Sequence, residues 1–273
     1  MTTPHFQSLH VERNSSGILT VTLQRPEVRN AFNETVIDEL ENVFSTLALE
    51  TATRVVVLRG AGQAFCAGGD LNWMKKAIHF DFEENLADTR KLAKMFSLMN
   101  ECPKPLIGVV HGAAIGGGVG LVSVCDVVLA TEETVFSLSE VRLGIVPACI
   151  GPFVIAKIGA SQARRFFISA DRFKAHQARE IGLVHEVFGD MAALEGGLQK
   201  LLEQIVQCGP NAMAVAKKLV LDLSWPEKRE SLENPLEYVA QLLAHVRISD
   251  EGQEGVKAFL DKRKPAWLIQ SQG

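Results

Sequence analysis

The stretch from Pro105 to Cys125 reads PLIGVVHGAAIGGGVGLVSVC and contains no Asp, Glu, Lys or Arg. Its apolar character imitates a membrane span, but a spanning helix needs about 20 mainly apolar residues in one continuous helical pattern. Here Gly108, Gly112, Gly116, Gly117, Gly118, Gly120 and His111 interrupt the pattern. The stretch reads instead as a buried strand over Leu106 to Val110, a turn at Gly116-Gly117-Gly118, and an apolar helix start running to Cys125. A second apolar run, Val55-Val56-Val57-Leu58, precedes another glycine-marked loop at Gly60, Gly62, Gly68 and Gly69. Strands apolar on every residue suit a sheet covered on both faces. The fold class is therefore α/β.

Working outward, Ile18 to Leu23 is short and β-branched, a strand signal ended by Arg25-Pro26. Asn33 reads as a helix N-cap with Glu34 in the first turn. Val36, Ile37, Leu40, Val43, Phe44 and Leu47 then recur at helical spacing. Phe82 to Met99 is helical in pattern, and Pro103 and Pro105 close it. Val127 to Ala130 is a third strand. After Glu140 the pattern is mostly helical, broken by Leu183 to Phe188, and from Pro210 no strand candidate remains. This divides the chain into a core over 1–209 and a C-terminal helical module over 210–273.

The 273 residues are 47% hydrophobic and 22% charged, with a formal net charge of −4, so a large core is available and no basic footprint for nucleic acid exists. Cys66, Cys102, Cys125, Cys149 and Cys208 form no CxxC pair and read as reduced thiols of a cytoplasmic protein. Met1 to Glu12 is polar and lacks an apolar signal region. No metal-ligand spacing occurs, and neither a nucleic-acid nor a membrane partner is expected.

Ala64 to Leu71 and His111 to Gly118 each place glycines after a buried strand. Glycine permits positive φ and close approach of a ligand to peptide N–H groups. A helix beginning at Gly117 or Gly118 would aim its unsatisfied amides and positive dipole end at that ligand. Gly-x-Gly-x-x-Gly, Gly-Lys-Ser/Thr, Gly-x-Ser-x-Gly and His-Glu-x-x-His are all missing around these clusters. Dinucleotide, P-loop, hydrolase-elbow and zincin readings thus have no support.

In order, these segments resemble the crotonase, or enoyl-CoA hydratase/isomerase, superfamily. Arg25-Pro26 through Asn30-Ala31-Phe32 is similar to its Arg-Pro…Asn-Ala-Leu signature, and Phe65 to Leu71 to its Phe-x-Ala-Gly-x-Asp-Leu loop. Pro105 to Cys125 and Ala130 to Pro147 continue the likeness, as do Ala175 to Val184 and Glu254 to Pro265. The resemblance implies a spiral of ββα turns with a C-terminal helical module that forms trimers, often paired into hexamers. It implies an acyl-CoA thioester as substrate, with coenzyme A carried on that substrate and no separate cofactor. The oxyanion donors would be the amides of Gly69 and Gly117. Ala67, Gly69, Asp70 and Leu71 would line the CoA path, with Val28, Arg29 and Ala31 on its pantetheine side. Phe259 and Lys262 would touch CoA held by a neighbouring subunit.

Family hydratases use two glutamates twenty positions apart, and this chain carries one of them, Glu140, with Gly120 at the other position. Glu140 lies among Phe136, Leu138, Val141 and Leu143, so desolvation would raise its pKa toward a useful range. The alternative is a surface pair with Arg142. Ser139 to Gly144 with Pro147 to Val154 resembles a bacterial branch of methylglutaconyl-type CoA hydratases, whose substrates carry a distal carboxylate. Arg142, another buried cation or the substrate's own carboxylate would compensate for Gly120. Three functions stay open: hydration of a branched, glutaconyl-type 2-enoyl-CoA; Δ3,Δ2-isomerisation with Glu140 as sole proton shuttle; and non-catalytic binding of CoA or RNA, or scaffolding. Trp73, Met74, Phe80 and Phe82 are candidates for shaping the acyl pocket or for ordinary core.

Overall fold

The computed structural model describes residues 6–269. Residues 1–5 of the polar N-terminal segment lie outside the described residues. The elements run β1 Leu9–Arg13, β2 Ile18–Leu23, α1 Glu34–Leu47, β3 Val55–Gly60, α2 Leu71–Ala77, α3 Phe82–Glu101 and β4 Leu106–Val110. Then come β5 Ala113–Ile115, α4 Gly117–Ser123, β6 Val127–Thr131, β7 Val135–Ser137, α5 Gly151–Ser169, β8 Arg172–Lys174, α6 Ala175–Glu180 and β9 Glu186–Phe188. The remainder is helical: α7 Met191–Ile205, α8 Pro210–Ser224, α9 Pro226–Glu230, α10 Pro235–Ile248, α11 Asp250–Leu260 and α12 Ala266–Ile269.

A six-stranded sheet has the order β1-β2-β3-β4-β6-β9, and only the β1–β2 pair is antiparallel. The apolar runs alternate between two cores, as period-2 geometry requires. Val56, Leu58, Leu106, Val110, Val128 and Ala130 face the larger core, with α1, α3 and α4 packed on it. Val55, Val57, Ile107, Val109 and Leu129 face Leu194, Leu198 and Leu202 of α7. Full burial of a Leu or Phe contributes ~1.5–3 kcal/mol, so the helices are held mainly by these faces.

A second layer is built from very short segments. β5, β7 and β8 form a three-stranded sheet, and two isolated bridges, Cys66 with Ala114 and Phe32 with Gly69, extend it. Strand, short strand and helix thus recur as β4-β5-α4 and β6-β7-α5, giving the spiral of ββα turns. The strands β1, β5, β7 and β8 were not foreseen from the sequence pattern, and β8 interrupts a region expected to be helical. Three-residue strands carry too little periodicity to read; pairing partners decide them.

Local signals place the main helices. Asn33 Oδ1 accepts from the Val36 amide at 3.0 Å, as a cap should. Asp81 and Glu84 make a reciprocal capping box at the start of α3. The C-terminal helices are tied to the core by polar contacts. Arg54 donates to the Val206 and Cys208 carbonyls at 3.1 and 2.7 Å, and Lys217 of α8 pairs with Asp126 at 2.8 Å. Among the described residues, no helix is long and apolar enough to cross a membrane.

Asn30 joins the turn before α1 to the loop after β3. It is 2% exposed and sits at φ 55°, a left-handed position that Asn tolerates. Its Oδ1 accepts from the Arg25 amide, and its Nδ2 donates to the Ala61 and Ala64 carbonyls, at 2.9, 2.8 and 2.8 Å. Asn30→Ala strands these buried groups and is expected to cost ~2–4 kcal/mol, since each unmade buried hydrogen bond costs about 1–3 kcal/mol. Urea unfolding of the variant against wild type measures this.

Candidate active site

The first glycine loop is held between two other segments. Phe65 and Cys66 donate to the His111 and Ala113 carbonyls at 3.0 and 3.0 Å, and Ile115 donates back to Cys66 at 3.0 Å. On the other side, the Phe32 amide donates to the Gly68 carbonyl at 2.7 Å and the Asp70 amide to the Phe32 carbonyl at 2.7 Å. A bridge of this kind uses the groups on either side of Gly69. The peptide groups of Gly69 itself consequently turn the opposite way, and its amide has no acceptor among the described residues. Asp70 is clamped as well. Its Oδ2 accepts from Arg25 Nη2 at 2.8 Å, and its Oδ1 caps α2 through the Asn72 and Trp73 amides at 2.8 and 3.4 Å. Burial alone would raise this carboxyl, but those hydrogen bonds outweigh it and hold Asp70 below the usual carboxylate range.

The second loop supplies a helix start. The Gly116 amide donates to the Ser137 carbonyl at 2.8 Å, and Gly116 adopts φ 52° as the N-cap of α4. Gly117 begins the helix, so its amide has no partner within α4. Close packing sets the glycines here: a Cβ on Gly118 would stand 2.5 Å from the Cys66 carbonyl oxygen, so the two loops touch backbone to backbone. A Cβ on Gly116 would stand 3.1 Å from Glu140 Oε1.

Glu140 opens a short 3-10 turn, Glu140–Leu143, directly after β7. Its carboxylate therefore reaches the start of α4. Burial pushes the carboxyl above the ordinary range, opposed only by its own amide. Its Oε2 is buried without a hydrogen-bond partner, leaving it available to a ligand. Of the apolar residues around it in sequence, Phe136 and Leu138 are buried, at 0% and 1% exposure, whereas Leu143 is 61% exposed. The alternative, a surface pair with Arg142, is absent among the described residues. Arg142 Nη2 donates to the Ala170 carbonyl at 3.1 Å, because that end of α5 offers an uncapped acceptor.

The space beside Gly120 is filled. A Cβ there would lie 2.3 Å from Ile150 Cγ2 and 2.9 Å from Phe96 Cε1, and both side chains are buried. The second carboxylate position is an apolar wall. On the other flank, Met74 and Trp73 lie over Gly69, 3.5 and 3.9 Å from where its Cβ would be. Phe82 is 74% exposed and does not join them.

Of the expected CoA-contacting residues, Ala31 and Asp70 are buried, Ala67 is half-buried, and Val28, Arg29, Gly69 and Leu71 are exposed along one edge of the loop. Arg29 holds φ 52°, and its carbonyl accepts from the Ala67 amide at 3.0 Å, which joins the two halves of that edge. Phe259 lies at the end of α11 and Lys262 two residues beyond it; both are exposed, and the Lys262 amide donates to the Phe259 carbonyl at 3.2 Å. Cys208 is exposed, unlike Cys66, Cys102 and Cys125.

The chain matches the family described as enoyl-CoA hydratase/isomerase over residues 13–270. It is 34% identical to the 2,3-dehydroadipyl-CoA hydratase of Escherichia coli, covering 91% of this chain and 94% of that protein. It is 32% identical to a peroxisomal Δ(3,5)-Δ(2,4)-dienoyl-CoA isomerase of Arabidopsis thaliana, covering 97% and 98%. Among solved structures, AtuE of Pseudomonas aeruginosa is 40% identical with a TM-score of 0.89, covering 96% of this chain and 99% of AtuE. An enoyl-CoA hydratase of Shewanella pealeana is 36% identical with a TM-score of 0.90, covering 96% of each chain.

Gly120→Glu is expected to lower the melting temperature markedly. Overpacking costs ~1–3 kcal/mol, and an unpaired buried carboxylate adds to it. Adding Ile150→Ala to that variant should recover part of the loss, read in the same thermal unfolding series.

Proposed function

The chain belongs to the enoyl-CoA hydratase/isomerase family, and from that premise we propose that it hydrates a branched 2-enoyl-CoA carrying a second carboxylate, a 3-methylglutaconyl-like thioester. The observation that carries the chemical part is the unpaired, buried Glu140 Oε2 next to Gly116 at the start of α4, together with the Gly69 and Gly117 amides, which have no acceptor among the described residues. The two amides would receive the thioester oxygen. Donors aimed at an oxygen that gains charge in the transition state are each worth a few kcal/mol.

Glu140 then works alone. As carboxylate it takes a proton from water while the water oxygen bonds to Cβ, and the electron pair of the double bond moves into the enolate held by the two amides. The Glu140 carboxyl afterwards gives that proton to Cα on the same face. One water is added, and Glu140 returns to its starting state. Of the three possible helpers, Arg142 is engaged at Ala170. Among the described residues no cation lowers the Glu140 carboxyl, which argues against a buried one nearby. The substrate's own carboxylate is left to orient the water. The Escherichia coli relative supports this reading, since 2,3-dehydroadipyl-CoA is the thioester of a dicarboxylic acid.

Isomerisation is the second reading, favoured by the same solitary carboxylate: Glu140 would move one proton between two carbons. Val28, Arg29, Ala31, Ala67, Asp70 and Leu71 would border the CoA path. The exposed Phe259 and Lys262 would reach CoA on a neighbouring copy in a trimer or a pair of trimers.

Enoyl-CoA thioesters differing in branching and in a terminal carboxylate test the proposal by loss of the conjugated thioester absorbance. The branched, carboxylate-ended member should be consumed fastest; no loss with any member defeats the hydratase reading. Glu140→Gln should cut kcat about 10²–10⁴-fold, the range expected for a positioned acid–base group, with CoA binding retained. Because Glu140 must be ionised and its carboxyl is raised, kcat/KM should fall on acidification along a limb centred above the ordinary carboxylate range. Glu140→Gln should lack that limb.

A further inference from the structure

A second carboxyl stands one side chain away from Gly69. Trp73 of α2 covers Gly69, and its indole Nε1–H donates to Asp88 Oδ1 of α3 at 3.3 Å. Asp88 is half-buried and makes no other hydrogen bond or ion pair among the described residues. Opposite it, the segment entering α5 packs on the same helix: Cys149 Sγ reaches the Thr89 carbonyl at 3.6 Å, and Ile150 and Phe96 close the space beside Gly120.

Among the described residues, the one cation that acts on Asp88, Lys91, is already paired. Burial raises the Asp88 carboxyl, the Trp73 N–H lowers it, Glu34 at the start of α1 raises it and Lys91 on α3 lowers it, with a net upward shift. Glu34 is paired with Lys76 of α2 at 2.9 Å, and Lys91 with Asp38 of α1 at 3.4 Å. Asp88 in turn raises the Cys149 thiol, after burial does so.

We propose that Asp88 reads the far end of the acyl chain and admits a carboxylate-ended tail only in its protonated form, donating its O–H to that carboxylate while Trp73 holds its other oxygen. This rests on the reading that the substrate carries a second carboxylate. Two carboxylates in contact cannot both stay ionised, so one proton must be shared between them. When Asp88 is ionised beforehand, solvent supplies that proton to Asp88 as the tail arrives, and no other bond changes. An uncharged tail needs no proton. The protonation of Asp88 thereby sets the choice between the two kinds of chain.

The test is calorimetric binding of saturated thioesters to the full-length protein in buffers of different ionisation enthalpy. Glutaryl-CoA and adipyl-CoA are the carboxylate-ended chains, and pentanoyl-CoA and hexanoyl-CoA the uncharged chains of equal length. At pH values where Asp88 starts ionised, a diacid thioester should draw up to one proton more than its uncharged counterpart. Its affinity relative to that counterpart should then fall up to tenfold per pH unit. Asp88→Asn can still donate to a carboxylate and accept from Trp73, and should show neither the extra proton nor the slope. Trp73→Phe removes a donor that favours ionised Asp88, so the loss should begin at higher pH. Absence of extra proton uptake with both diacid thioesters, or its persistence in Asp88→Asn, overturns the proposal. These ligands have no double bond, so the outcome is independent of turnover. Proton uptake without hydration of any enoyl-CoA would sink the hydratase reading and leave this one standing.

Discussion

The two hydrogen bonds that the Phe32 backbone makes to Gly68 and Asp70 are the constraint on which the site depends. They fix the plane of the peptides around Gly69 and turn its amide away from the supporting strand. The same loop is pinned on its far side by Ala113 and Ile115, one turn of the spiral later. Its position is therefore set by segments separated by more than forty residues of chain, none of which could hold it alone. Arg25 and Asn30 reinforce the arrangement from beneath. One completes the charge of Asp70, and the other satisfies three backbone groups of the neighbouring turns.

Much of this was legible in the sequence for identifiable reasons. Val55 to Leu58 and Leu106 to Val110 are apolar at every position, which is what a strand between two cores must be. The Asn33 cap is a local interaction and could be read locally. The glycine clusters signalled close backbone approach, and Gly118 against the Cys66 carbonyl is such an approach. The short strands β5, β7 and β8 were not legible, because each is defined by partners distant in sequence. The same holds for what stands beside Gly120. The missing glutamate could be seen in the sequence, but the Phe96 and Ile150 side chains that fill the space come from elements far apart in the chain. Asp88 gave no sequence signal either: an acidic residue in an amphipathic helix ordinarily faces solvent.

The wall at Gly120 alters how the remaining carboxylate works. Among the described residues no second carboxylate shares or repels the charge of Glu140, and burial, opposed only by its own amide, raises its proton affinity. In the proposed hydration it acts as a solitary relay. Removing solvent from one side of a carboxyl raises its basicity without a charged partner, and the orphaned Oε2 is the cost of that arrangement until a ligand arrives.

Cys66 shows another consequence of the tight contact between the two loops. Burial pushes its thiol up to about 12, and Cys125 behind α4 is likewise pushed up to about 12. A conjugated thioester is an electrophile that thiolates attack, and an oxyanion hole would hasten that attack as readily as the attack of water. A thiol raised that far stays protonated at neutral pH, and the thiolate is the nucleophile. The packing that brings Cys66 against Gly118 thus keeps a thiol next to the proposed site buried and protonated.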